Sequence, residues 1–114
     1  MSVVEEWAEA NLDSFKHRMR ISSDDPAEME SLEMMLGASY TSVLRLVGVK
    51  DAQDLEVKEL IFERARYVYN DALDEFEVNY RRNINLLFLA HKSEESEGSD
   101  DQISEREAFF SLDE

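Results

Sequence analysis

The sequence predicts an all-α protein, and three observations carry that reading. Only three glycines and one proline punctuate 114 residues. Apolar residues recur at spacings of three and four over long windows, the period of an amphipathic helix rather than the alternation of a half-buried strand. Turn and cap chemistry is gathered at a few places, chiefly Ser22 to Pro26, Gly48 and Asp54. A chain this short has room for one small domain. The expected architecture is a small bundle of about three main helices, then a C-terminal extended or short helical docking segment and an acidic tail.

In the first element Val4, Ala8, Leu12, Phe15 and Met19 fall on one stripe with Trp7 beside it, which predicts a short amphipathic helix. "RISSDDPAEME" ends it. Ser22, Ser23, Asp24 and Asp25 are capping residues, and Pro26 suits the first helical position because the amide hydrogen it lacks would have no partner there. Glu28 and Glu30 then complement the positive end of the helix dipole. The second helix carries Met29, Leu32, Leu36, Tyr40, Val43 and Val47 and stops at "LVGVKD", where Gly48 suits a left-handed cap and Val49 is placed to fold back on the last turn. Gly37 inside this helix costs about 1 kcal/mol relative to alanine, so a close helix crossing is expected there.

A third helix is expected from a cap at Asp54 to about Tyr80, with Val57, Leu60, Ile61, Ala65, Val68, Ala72 and Phe76 on its main stripe and Phe62, Tyr69 and Leu73 widening it. Such a broad stripe belongs to a helix that is central or that faces a partner on its second side. "NYRRNINLLFLAHK" follows, with an apolar run of Ile84 and Leu86 to Ala90 whose conformation, strand or helix, the spacing leaves open. Arg81, Arg82, Ile84, Leu86, Leu87, Phe88 and Leu89 are the candidate partner-binding residues. Of these, Leu86, Leu87 and Leu89 are expected to help close the bundle, and Arg81, Arg82, Ile84 and Phe88 to meet the partner.

Residues 1–92 thus form the helical domain and residues 93–114, "SEESEGSDDQISEREAFFSLDE", the acidic tail. The tail holds nine acidic residues and one arginine. From 93 to about 102 its composition cannot offset the entropy of ordering. Ile103, Phe109, Phe110 and Leu112 interrupt that composition and are candidate anchors that order against a partner.

Composition narrows the function. Lys and Arg number 12 against 27 Asp and Glu, a net charge of -15, which argues against duplex binding through phosphates and against anionic membrane surfaces. No stretch approaches the roughly 18 apolar residues of a membrane span, and "MSVVEEWAEANLDSF" has neither the basic nor the apolar region of a signal peptide. The expectation is a soluble, intracellular chain. With no cysteine there is no disulfide, thiolate zinc site or thiol nucleophile. His17 and His91 lie in different elements, so no two-histidine helical metal pair forms. "SSDDPAEMESLE" lacks the alternating oxygen ligands and central glycine of a calcium loop and reads as a helix cap. There is no glycine-rich phosphate loop and no Ser-His-acid order, and a domain this small offers little cleft for an acid/base dyad. Neither an enzyme nor a cofactor site is expected. Tyr67, Tyr69, Phe76 and Tyr80 with Arg64, Arg66, Arg81 and Arg82 have the makings of a single-strand stacking platform, but the net charge opposes its electrostatic half. Packed aromatics and ion pairs around the helix are the preferred reading.

Three segments, "FKHRMRISSDDPAEMESL", "VKELIFERARYVYNDA" and "NINLLFLAHK", in this order resemble the small head-tail connector (head-completion adaptor) proteins of long-tailed bacteriophages. The first is similar to a short leading helix ending in the pair Arg20 and Ile21, followed by an acidic turn and a long helix. The second is similar to a long third helix with Ala65, Tyr67, Tyr69 and Asn70 at its characteristic positions, and the third to the short apolar stretch that closes the domain. The resemblance spans about residues 12–92; the acidic tail lies outside it. It implies a non-enzymatic subunit of a dodecameric ring that docks under the portal protein, extends the DNA exit channel and presents a surface to a stopper or tail-completion protein. The location implied is the virion neck, with assembly in the host cytoplasm and DNA only passing through the channel. A ring needs two unlike patches on each subunit, and an acidic channel wall gives DNA few cationic handles. The alternative is an acidic DNA mimic or adaptor in the basic groove of another protein, motivated by the overall charge. The tail carries -8 of that charge and leaves -7 on residues 1–92.

Overall fold

Ser2 opens the first helix, α1 (Val3–Met19), through a reciprocal cap. Its hydroxyl accepts the Glu5 N–H at 3.1 Å while the Glu5 carboxylate accepts the Ser2 N–H at 3.0 Å. The structure, a computed structural model, describes residues 2–95, so Ile103, Phe109, Phe110 and Leu112 lie outside the described residues. At the far end of α1 the chain reverses through Arg20 in the left-handed region (φ 59°), and the Ile21 N–H returns to the Lys16 carbonyl at 2.8 Å. Asp25 caps α2 (Pro26–Val47) by accepting the Glu28 N–H at 3.1 Å, with Pro26 in the first position. Gly48 ends α2 at φ 80°, and the Val49 N–H folds back to the Leu44 carbonyl at 3.1 Å, as the cap chemistry predicts. Asp54 caps α3 (Leu55–Tyr69) by accepting the Glu56 N–H at 2.8 Å.

The single helix expected from Asp54 to Tyr80 is two. After Tyr69 the Asn70 side-chain amide donates to the Arg66 carbonyl at 2.9 Å, and Asp71 enters the left-handed region (φ 57°). Ala72 N–H then bonds the Tyr67 carbonyl at 2.8 Å and Asp71 N–H the Val68 carbonyl at 3.1 Å. These two bonds close a Schellman motif built on aspartate, one of the few L residues that visit the left-handed region without a large cost. A 3-10 turn, Leu73–Glu75, leads into α4 (Phe76–Glu95). Tyr69 and Leu73, expected on a widened stripe, are therefore exposed at a corner. The run from Asn79 to Lys92 is helical. With four helices and no strand among the described residues, the domain is all-α.

α1, α3 and α4 all pack on α2, and α4 also packs on α3. The core is in two clusters. Ala8, Phe15, Leu32, Leu36, Phe62 and Ala65 join α1 to the first half of α2 and the second half of α3. Tyr40, Val43, Leu44, Val47, Val57, Leu60, Ile61, Phe76, Ile84 and Leu87 join α4 to the opposite halves. Trp7 bridges the clusters, its ring 5.0 Å from that of Tyr40 and 6.0 Å from that of Phe62. The expected close crossing at Gly37 is present, since a Cβ there would stand 3.3 Å from Cγ1 of Val4.

Candidate interaction surface

The inner face of α4 follows from spacings of four, four, three and four: Phe76, Tyr80, Ile84, Leu87 and His91. Phe76, Ile84 and Leu87 are core residues. Tyr80 stacks on Phe76 at 5.2 Å, and Tyr67 meets both rings edge-on at 5.7 and 5.9 Å. Polar ties fix the register. The Tyr80 hydroxyl donates to Glu63 Oε1 at 2.8 Å, Asn79 Nδ2 donates to the Tyr67 hydroxyl at 3.0 Å, and His91 Nε2 lies 3.0 Å from Oδ2 of Asp54, the cap of α3. Burial pushes the Asp54 carboxyl up, but the Glu56 N–H and His91 outweigh it and hold the group below its ordinary value. Phe88 lies over Gly48, with two ring carbons 3.3 Å from the point a Cβ would occupy.

Glu63 is the node of this side. Its carboxylate receives Arg66 at 2.7 and 3.1 Å and Tyr80 at 2.8 Å, and lies 3.5 Å from Arg18 of α1, which also pairs with Glu59. Burial pushes its pKa up, yet the hydrogen bonds from Arg66 and Tyr80 and the two guanidinium charges prevail and hold it low. Tyr80 is shifted upward by burial and by the neighbouring Glu63 carboxylate.

The outer face is different. Val78, Arg82 and Leu86 are four residues apart and so share a stripe; Val78 is 67 % exposed and Leu86 50 %. Arg81 lies beside that stripe and lines a cleft of about 240 Å³ with Leu46, Glu77, Ile84 and Asn85. Neither Arg81 nor Arg82 pairs with a carboxylate among the described residues. α1 presents Glu5, Glu6, Glu9 and Asp13 outward instead.

The expected division of the apolar run is therefore corrected. Ile84, assigned to a partner, is 7 % exposed and belongs to the larger core, while Leu86, assigned to the core, faces out. Two residues along a helix turn a side chain by about 200°, so the two positions cannot share a face. Leu87 and Leu89 are buried as expected of closing residues. Phe88 is half-buried against Gly48, and Arg81 and Arg82 are exposed. Val78 stands one residue before the run Asn79 to Lys92, and its four-residue spacing from Arg82 and Leu86 is the signal that places it on the outer stripe.

A second cleft of about 140 Å³ lies between α3 and α4 over Leu60 and Leu87 and is lined by Glu56, Glu59 and Glu63. Both clefts fall below the roughly 300–1,000 Å³ of small-molecule sites, and Arg18 already engages two of these glutamates. Among the described residues no group of three His, Cys, Asp or Glu side chains is placed to hold a metal, and no helix is long and apolar enough to cross a membrane. No protein-family model matches this chain, and no curated protein or solved structure is significantly similar to it.

Proposed function

We propose that this chain is a structural adaptor: a head-tail connector subunit that closes into a ring under the portal protein of a long-tailed phage. It lengthens the DNA exit channel at the virion neck and offers its far side to a stopper or tail-completion protein, after assembly in the host cytoplasm. The observation that carries this reading is the pair of unlike outer faces, carboxylates on α1 and an apolar, cationic stripe on α4. A ring closes through a heterologous contact, for which each subunit needs two different surfaces, and these two are complementary in charge. The order of the three connector-like segments adds support. The test is native mass spectrometry of the full-length chain with the portal protein encoded in the same genome. A ring-on-portal complex is expected for the wild type, and its loss for Val78→Asp/Leu86→Asp with an unchanged helical circular dichroism spectrum. A wild-type chain that ignores its own portal, or a genome without one, overturns the reading.

A second reading, an acidic mimic of DNA in the basic groove of a partner, is favoured by the stripe Glu5, Glu9 and Asp13, whose members rise about 6 Å per step along α1. In that case Glu9→Lys/Asp13→Lys abolishes binding to the basic partner and Val78→Asp/Leu86→Asp leaves it intact.

A further inference from the structure

Val78, Arg81, Arg82 and Leu86 are exposed along one side of α4, and Arg81 also lines the cleft formed with Leu46, Glu77, Ile84 and Asn85. Two of these four are cations in a chain of net charge -15, and neither has a carboxylate partner among the described residues. Arg18 and Arg66, by contrast, are held by glutamates. A face that is both apolar and cationic fits an occupant that is both apolar and acidic. The chain carries one a few residues past the end of α4: "ISEREAFFSLDE" sets Ile103, Phe109, Phe110 and Leu112 among Glu105, Glu107, Asp113 and Glu114.

We propose that residues 103–114 bind this face of their own chain, placing a phenylalanine of the Phe109-Phe110 pair in the Leu46–Ile84 cleft and carboxylates against Arg81 and Arg82. The reach is sufficient. Position 81 lies about 21 Å back along α4 from its last residue at 1.5 Å per residue, and the stretch from 95 to 109 spans up to about 46 Å when extended. Tethering raises the effective concentration of the segment to the millimolar range, so a contact too weak for a free peptide is populated within one chain. The consequence is competition: a partner that contacts Arg81, Arg82 or the cleft beside them must displace the segment. This inference holds whichever partner α4 serves.

The chain has no cysteine, so Ser111→Cys takes a single spin label in the otherwise intact full-length protein. Nuclear magnetic resonance should then show broadening of the amides from Val78 to Leu86 but not of the outward-facing α1 residues, with no change on dilution. The same label in a Phe109→Ala/Phe110→Ala background should lose the broadening, and Arg81→Glu/Arg82→Glu should lose most of it. Restoration by Glu105→Arg/Glu107→Arg in the latter background would confirm the charge pairing. Uniform absence of broadening in the parent overturns the proposal. So does broadening seen only when a labelled chain acts on a second, isotopically distinguished chain, which assigns the segment to another copy.

Discussion

α1 and α4 both rest on α2, and each passes a side chain over one of its glycines, Val4 over Gly37 and Phe88 over Gly48. There the likeness ends. α1 turns Ala8 and Phe15 inward and carboxylates outward, so its apolar residues chiefly serve the core. α4 turns Phe76, Ile84 and Leu87 inward and still keeps Val78 and Leu86 outside with two arginines. Single exposed apolar residues are ordinary; here two share one stripe with Arg82, and Arg81 and Arg82 have no carboxylate partner among the described residues. The contrast separates a helix whose outer face is acidic from one whose outer face is apolar and cationic.

The largest expected effects concern the inner faces of the two helices. Phe15 and Phe76 are 0 % and 1 % exposed, and truncation of a buried phenylalanine to alanine costs about 3–5 kcal/mol, a large share of a small domain's stability. Both Phe15→Ala and Phe76→Ala should lower the thermal midpoint sharply. Trp7, against Tyr40 and Phe62, reports on α1, so its fluorescence should change before helical circular dichroism is lost in Phe15→Ala and together with it in Phe76→Ala. Val78→Ser and Leu86→Ser, on the outer face, should stay within about 0.5 kcal/mol of wild type. A Phe15→Ala cost no greater than that of Leu86→Ser would erase the distinction.

The same contrast shows what could be read in the chain beforehand. Most core positions of the first two helices follow from apolar spacing and caps, because α1 and α2 are broken at Ser, Asp, Pro and Gly, residues whose backbone preferences are strong. The break after Tyr69 rests on Asn70 and Asp71, which are helix-compatible as well as turn-compatible, so periodicity alone carried the third helix through it. Placing α4 as a new helix then resets which positions face inward. That is why Ile84 and Leu86 exchange roles, and why the outer stripe becomes legible only once the inner one is anchored by Tyr80 on Glu63 and Phe88 on Gly48.

The two glycines come next in size, and they should respond differently. At Gly48 an alanine must hold φ near 80° and place its Cβ against Phe88, so Gly48→Ala should cost about 1–2 kcal/mol from the left-handed strain. At Gly37 the backbone is helical, and alanine gains about 1 kcal/mol of helix propensity. Against this stands the 3.3 Å approach to Val4. Val4 is near the start of α1 and half-buried, so it can yield by the few tenths of an ångström required, and Gly37→Ala should be neutral to mildly stabilising in urea denaturation. Equal destabilisation at both sites would mean that α1 is held over Gly37 as rigidly as the α2 cap holds Phe88.

A further effect concerns a carboxylate that joins the two flanking helices. Glu63 reaches Arg18 of α1 and Tyr80 of α4 from a side chain that is 16 % exposed. Its pKa in the fold is below the 4.5 of an unperturbed glutamate. The unfolded chain therefore takes up the proton first as pH falls, and the stabilisation, complete above the unfolded value, is lost as pH drops through the folded one. Charged hydrogen bonds at a partly solvated site are screened, so Glu63→Gln should cost about 1 kcal/mol at pH 7. The wild-type and variant stabilities should converge as the pH is lowered below 4.5, because protonated Glu63 and glutamine present nearly the same hydrogen-bonding surface. Urea denaturation at pH 7 and at a pH below that value measures both ends. A gap between wild type and variant that persisted at the acidic end would assign the cost to packing at the α1–α3–α4 junction, and the two flanking helices would then be joined by shape rather than by charge.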